Sequence, residues 1–315
     1  MKQESLIAEF INETCLFFLQ QDSRLYYPFL LSALLISILY FLFLTIFQQK
    51  KSLKLISFLF PKDFLKSSSF KLDIQLFVIN NFLRSLIVIP LGIMAIQGMW
   101  MTVKGLDHMF GYHSLDGWSS SSITLYYTIV FFVLSDLSRW ILHYFFHHIP
   151  ALWSFHRVHH SATFLNPLTV FRLHPLEFFA YKFRGILVFS IVGGTFYYLF
   201  RTQITPYTLF SIHIGLFIFN ILGSNLRHSH IHISYPDWLE NIFISPAQHQ
   251  LHHCILPEKS YKNFGSTLAI WDRIAGTIQY GRSLIQLKYG AKDDTSDQLT
   301  KNIVDPITSL FKRKS

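Results

Sequence analysis

Five stretches without a formal charge constrain this 315-residue chain more than any other feature. No Asp, Glu, Lys or Arg occurs between Arg24 and Lys50, a run of 25 residues through PFLLSALLISILYFLFLTIF. Further uncharged runs cover Ser85–Val103, Gly117–Ser135 and Gly185–Phe200, and a fifth lies between Arg201 and Arg227. An α-helix needs about 20 apolar residues to cross the roughly 30 Å hydrocarbon layer. Four runs reach that length. The fourth is shorter, with 16 residues, and is expected either to tilt little or to pair with the fifth as a hairpin. Soluble core helices are usually shorter and carry a polar face, so the pattern predicts a polytopic, all-α membrane helix bundle of about four to six spans. The first 26 residues mix acids into their apolar stretch and lack a small-residue cleavage site. They are expected to form a short surface helix instead of a signal peptide. Cys15 and Cys254 provide no disulfide framework.

The net charge of +9 is unevenly placed. Lys50, Lys51, Lys54, Lys62, Lys66, Lys71 and Arg84 follow the first run, and the positive-inside rule assigns this loop to the cytoplasm. Alternating spans then make 136–184, with Arg139, Arg157, Arg172, Lys182 and Arg184, and the tail from Arg227, cytoplasmic too. The basic balance reflects topology and contact with anionic lipid. No basic stripe on a nucleic-acid-binding fold accompanies it, so no nucleic-acid partner is expected. Of 16 histidines, 13 fall in these two segments, which the charge rule did not require. Three units are expected: 1–115 with two spans and the basic loop, 116–285 as the catalytic domain, and 286–315 as a polar tail.

The histidines recur at ligand spacing. His143 and His147 lie four apart and share a helical face, as paired metal-binding histidines do. His156, His159 and His160 form an HxxHH pattern whose three rings occupy one arc of a helix and can serve two metals. His249, His252 and His253 repeat it. Between them lies His228-Ser-His230-Ile-His232. His228 and His232 would share a helical face, and all three would share a face if the segment were extended. The candidate metal ligands are thus His143, His147, His156, His159, His160, His228, His232, His249, His252 and His253. Ten exceed what one tetrahedral zinc uses and suit two metals. Imidazole accepts Zn, Cu, Fe and Ni, so ligand type leaves the element open.

Asp136-Leu-Ser-Arg-Trp-Ile-Leu-His143, HYFFH, HRVHHS, FRLHPLE, QHQLHH and KNFGSTLAIWDRIAGT together resemble the fatty acid hydroxylase/sterol desaturase superfamily of membrane di-iron enzymes. The likeness runs in order from about 120 to 280. It implies a cytoplasmic histidine-rich di-metal cap and two iron ions. It also implies O2-dependent hydroxylation or desaturation of a membrane lipid, with electrons from a separate donor of cytochrome b5, ferredoxin or reductase type. The host membrane would be a bacterial inner membrane or the endoplasmic reticulum. Three further residues are drawn toward the site. Asp136 lies two turns before His143 on the same face and could fix a ligand's tautomer. His174 and Glu177 in FRLHPLE are expected near the reaction. Asp272 is expected to brace the structure. Alkyl C–H bonds are too inert for protein acid–base groups, so a cofactor must carry such chemistry. No dinucleotide fingerprint is present, consistent with an external reductant. Two other readings compete. A membrane zinc hydrolase would need a Glu beside a ligand pair, as in HExxH. A metal or haem carrier would place ligands inside the spans, where only His213 falls.

Overall fold

The computed structural model describes residues 17–21, 23–50, 54–62, 64–204, 214–256, 261–283, 287–290 and 297–311. Cys15, His213, most of the expected N-terminal surface helix, the middle of the fifth uncharged run and the terminal KRKS lie outside them.

The described residues are helical and contain no β-strand, only two isolated bridges, Phe243 to Leu268 and Cys254 to Tyr289. Four helices are long and apolar enough to cross a bilayer: α1 (Tyr27–Ile46), α2 (Ser68–Phe110), α3 (Ser120–His148) and α5 (Pro175–Phe200). The short α4 (Pro150–His160) lies between the last two. Of the fifth run, α6 (Ile214–Ile221) is described. The apolar side chains Leu31, Leu35, Leu39 and Ile46 of α1, and Leu86, Ile89 and Met101 of α2, are exposed, as a lipid-facing surface requires.

Helix α2 is longer than the uncharged run inside it. Its 43 residues span about 65 Å at 1.5 Å per residue, twice the hydrocarbon thickness. Ser67 caps its start by accepting from the Phe70 N–H. Its N-terminal turns are held by a polar knot. The fully buried Arg172 donates to Asp73 Oδ1 at 3.1 Å, to Ser69 and to Ser161. Asp73 also accepts from Asn166 and Thr169. The charges are tolerated there because each finds a partner. Further along, α2 packs on α5 where side chains are small. A Cβ at Gly194 would stand 2.6 Å from Thr102 Cβ and 2.8 Å from the Met99 carbonyl oxygen, so only glycine permits this approach. Met99, Ile123, Tyr127, Val188, Val192 and Phe196 form the core between α2, α3 and α5.

Two turns place the histidines. Helix α3 ends at His148, Ile149 is extended, and Pro150 opens α4 with its fixed φ. The chain reverses there and brings α4 back against the end of α3. Gly223, at φ +87°, starts the 3-10 turn Ser224–His228 beneath the fifth run. A second cap builds α7 (Pro246–His252): Ser245 accepts from the Gln248 N–H while the Gln248 side chain accepts from the Ser245 N–H. The short α8 (Ile270–Ala275) and α9 (Leu299–Ser309) follow.

Candidate metal centre

Nine buried histidines gather into two groups. His143, His147, His156, His160 and His252 form the first, and His159, His228, His249 and His253 the second. Within each group one nitrogen per ring lies within 4.8 Å of all the others. Each HxxHH pattern divides its rings between the groups. His156 and His160 turn to the first and His159 to the second, while His252 turns to the first and His249 and His253 to the second. The groups adjoin: the His160 and His253 rings stack with centroids 4.6 Å apart.

The hydrogen bonds of the first group fix its tautomers. His143 Nδ1 donates to the Phe264 carbonyl at 2.8 Å, His252 Nδ1 to the Lys262 carbonyl at 2.8 Å, and His156 Nδ1 to Glu177 Oε1 at 2.6 Å. A carbonyl or carboxylate can only accept, so each Nδ1 carries the proton and each neutral ring turns a bare Nε2 lone pair inward. Those Nε2 atoms stand 3.1 Å (His143 to His156) and 3.0 Å (His143 to His252) apart. Three acceptors with no hydrogen between them repel one another unless a cation lies among them. The second group repeats the crowding, with Nε2 separations of 3.0 Å for His228 and His249 and 3.2 Å for His249 and His253. Both nitrogens of His147, Nε2 of His160 and Nδ1 of His159, His249 and His253 are buried without a hydrogen-bond partner among the described residues. Unsatisfied buried polar atoms are rare, and six of the eleven among the described residues belong to these rings. Burial, reinforced by neighbouring imidazoles, pushes His156, His160, His228, His249 and His253 well below the ordinary imidazole range, and holds His159 down at about 3. These rings are therefore neutral at pH 7, the state in which imidazole binds metal. The donor set fits transition-metal ions.

His232 is the one expected ligand that joins neither group. The backbone is extended after His228, so His232 is not one helical turn along; its Nδ1 pairs with Gln250 Oε1. His230 donates from Nε2 to the Phe58 carbonyl at 2.6 Å. Glu177 lies against a group histidine, its side chain fully buried and its Oε2 without a partner. Asp136 accepts from the Thr267 and Leu268 N–H groups and from the Trp271 indole, so it docks the 264–271 loop on α3. His174 caps α5: its Nδ1 accepts from the Leu176 N–H and its Nε2 donates to the Ile303 carbonyl. Asp272 accepts from the Phe264 and Gly265 N–H groups, the Trp140 indole and the Thr277 hydroxyl. It thereby steadies the carbonyl that holds His143. The sequence reading missed the carbonyls of Lys262 and Phe264 as ring-holding groups. Their only signal was that they fall in the KNFGSTLAIWDRIAGT stretch.

A cavity of about 290 Å³ reaches both groups. Its walls include His143, His156, His159, His228 and His249, with Phe77, Phe171 and Phe178 on its apolar side.

Residues 128–277 match the fatty acid hydroxylase family. Alkylglycerol monooxygenase of Danio rerio is 29% identical over 143 residues, covering 45% of this chain and 28% of that protein. Ornithine lipid hydroxylase of Rhizobium tropici is 25% identical over 168 residues, covering 53% and 46%. A Delta(7)-sterol 5(6)-desaturase of Gibberella zeae is 28% identical over 149 residues, covering 46% and 40%. The chain thus spans less than half the length of each of these relatives. No solved structure matches it.

Proposed function

Because residues 128–277 belong to the fatty acid hydroxylase family, we propose that this chain is a membrane oxidoreductase that uses O2 to hydroxylate or desaturate a C–H bond of a lipid. The observation that carries this reading is the set of inward-facing lone pairs, with nine buried imidazoles in two adjoining groups on one cavity. The first group would hold one iron ion and the second another. Such an iron pair supplies the reduction of O2 that alkyl oxidation requires. In hydroxylation one oxygen atom enters the C–H bond and the other leaves as water, with two electrons and two protons drawn from a separate donor of cytochrome b5, ferredoxin or reductase type. Desaturation removes two hydrogens and reduces both oxygen atoms to water with the same two external electrons.

The chain's own residues prepare the site. Glu177 and the carbonyls of Phe264 and Lys262 retain the Nδ1 protons, so ligand nitrogens stay aimed inward. Asp272 and Asp136 hold the loop carrying those carbonyls. Phe146 and Phe264, both buried beside first-group rings, help keep water out. By the positive-inside rule, the basic loops support a cytoplasmic position for this face.

The test is anaerobic purification in detergent with metal analysis. About two iron per chain is expected from a nine-histidine, two-site set. Two zinc ions that support no O2 consumption would overturn the reading. Comparative lipidomics of cells with and without the chain should show loss of one oxidised lipid class.

A further inference from the structure

The cavity beside the histidines also carries an arginine wall. Arg24, from the segment before α1, Arg139 on α3 and Arg227 in the turn before His228 all line it. A second cavity of about 170 Å³, walled by Phe131, Phe132 and Leu216, shares Arg24 and Arg139. None of the three arginines has an ion-pair partner among the described carboxylates. Arg24 donates to Asn220 and Ser224, and Arg227 to the Ser224 and Ser266 carbonyls. Arg139 lies over the Tyr181 ring, 5.9 Å from its Cζ, and among the described residues feels the charge of Asp136 without a close ion pair. The nearby carboxylates are committed elsewhere: Asp136 to the Thr267–Trp271 loop and Glu177 to His156.

Three guanidiniums converging on one cavity repel each other. Burial and the neighbouring guanidiniums of Arg227 and Arg139 pull Arg24 well below its usual range. Bound metal ions would add further positive charge. Glu177 in the wall and Asp136 nearby offset this charge only in part, since both are engaged elsewhere and three guanidiniums face two carboxylates, and planar guanidiniums are suited to carboxylate or phosphate oxygens.

We propose that the lipid oxidised here carries an anionic headgroup, a carboxylate or a phosphate, held by Arg24, Arg139 and Arg227 beside the histidines. The cavity is at the small end for ligand sites, so it admits the head and the first carbons. The rest of the chain would leave along Phe77, Phe171 and Phe178. This rests on the lipid-oxidation reading and narrows its substrate class.

Metal-loaded protein in a neutral detergent is titrated with laurate, dodecyl phosphate and dodecanol, which share one alkyl chain. At least one anionic probe should bind about tenfold tighter than dodecanol, and added salt should weaken the preference. Tighter laurate assigns a carboxylate head and tighter dodecyl phosphate a phosphate head; both support the proposal. Arg139→Gln should reduce the preference to about threefold or less, as loss of a charge-assisted contact predicts, and Arg139→Lys should restore part of it. Arg24→Gln is the second variant. Equal binding of all three probes, or a preference unchanged in both glutamine variants with metal retained, overturns the proposal. Metal content is measured on each sample. Absence of iron from the wild type would sink the oxidative reading alone, since the anion preference is read without turnover.

Discussion

Glu177 offers the sharpest test of how the site is held. Its Oε1 accepts the His156 Nδ1 proton at 2.6 Å, with the carboxylate side chain 0% and the imidazole 2% exposed. In Glu177→Gln the amide oxygen can still accept, but the charge is lost, and neutral hydrogen bonds are about half as strong as charge-assisted ones. Outer-shell partners of ligating histidines typically contribute 10–100-fold to metal affinity. The glutamine variant should therefore lose about tenfold, or ~1.4 kcal/mol. In Glu177→Ala the Nδ1–H is buried without an acceptor, which costs about 1–3 kcal/mol of stability, and His156 is free to turn its proton toward the metal. Affinity should then fall toward the hundredfold limit, ~2.7 kcal/mol. Apo-protein titrated with Co(II) against a competing chelator measures the affinity, and a thermal melt of the apo form measures the stability. Wild-type affinity in Glu177→Ala would refute the claim that this carboxylate sets the ring's tautomer.

His228→Ala should release metal from the second group while His232→Ala keeps full occupancy, because only His228 lies among the second-group nitrogens; equal loss in both, by metal analysis, would reverse that assignment. His156→Ala and His252→Ala should each empty the first group in a chain that still inserts, and full occupancy in either would remove it from the ligand set. Folded values of His156, His159, His160, His228, His249 and His253 lie below the unfolded value of about 6.5, so the unfolded chain binds more protons as pH falls. Stability of the apo-protein should be full above about pH 7 and drop below about pH 6, at up to ~1.4 kcal/mol per ring per pH unit; a melting temperature flat down to about pH 5 would contradict this. Arg172→Ala should destabilise by about 3–5 kcal/mol because it leaves Asp73 buried without its cation, and a loss under about 1 kcal/mol would show the knot to be incidental.

The sequence reveals the all-helical membrane character and the HxxxH and HxxHH spacings, because both depend on local periodicity. It leaves open what depends on backbone shape or on distant segments. His228 and His232 look equivalent on a helical wheel, and only the 3-10 turn followed by extended chain separates them. Charge-free runs delimit the apolar part of α2 but stop short of its first turns, where Asp73 is carried by the Arg172 knot. The carbonyls that fix His143 and His252 belong to every residue alike, so no side-chain motif marks them. Asp136 was drawn toward a ligand by helical register, but its oxygens are taken up by a loop more than a hundred residues later. The arginine wall comes from three remote segments and is invisible to any window.

The division of each HxxHH motif between the groups couples them mechanically. Helix α4 and the α7 turn each contribute rings to both histidine groups, so a small twist of either displaces rings on the two sides at once. Filling one position stiffens the framework of its neighbour. Loading should therefore be cooperative, with singly occupied chains scarce at every stage of a titration, and damage at one position should spread to the other.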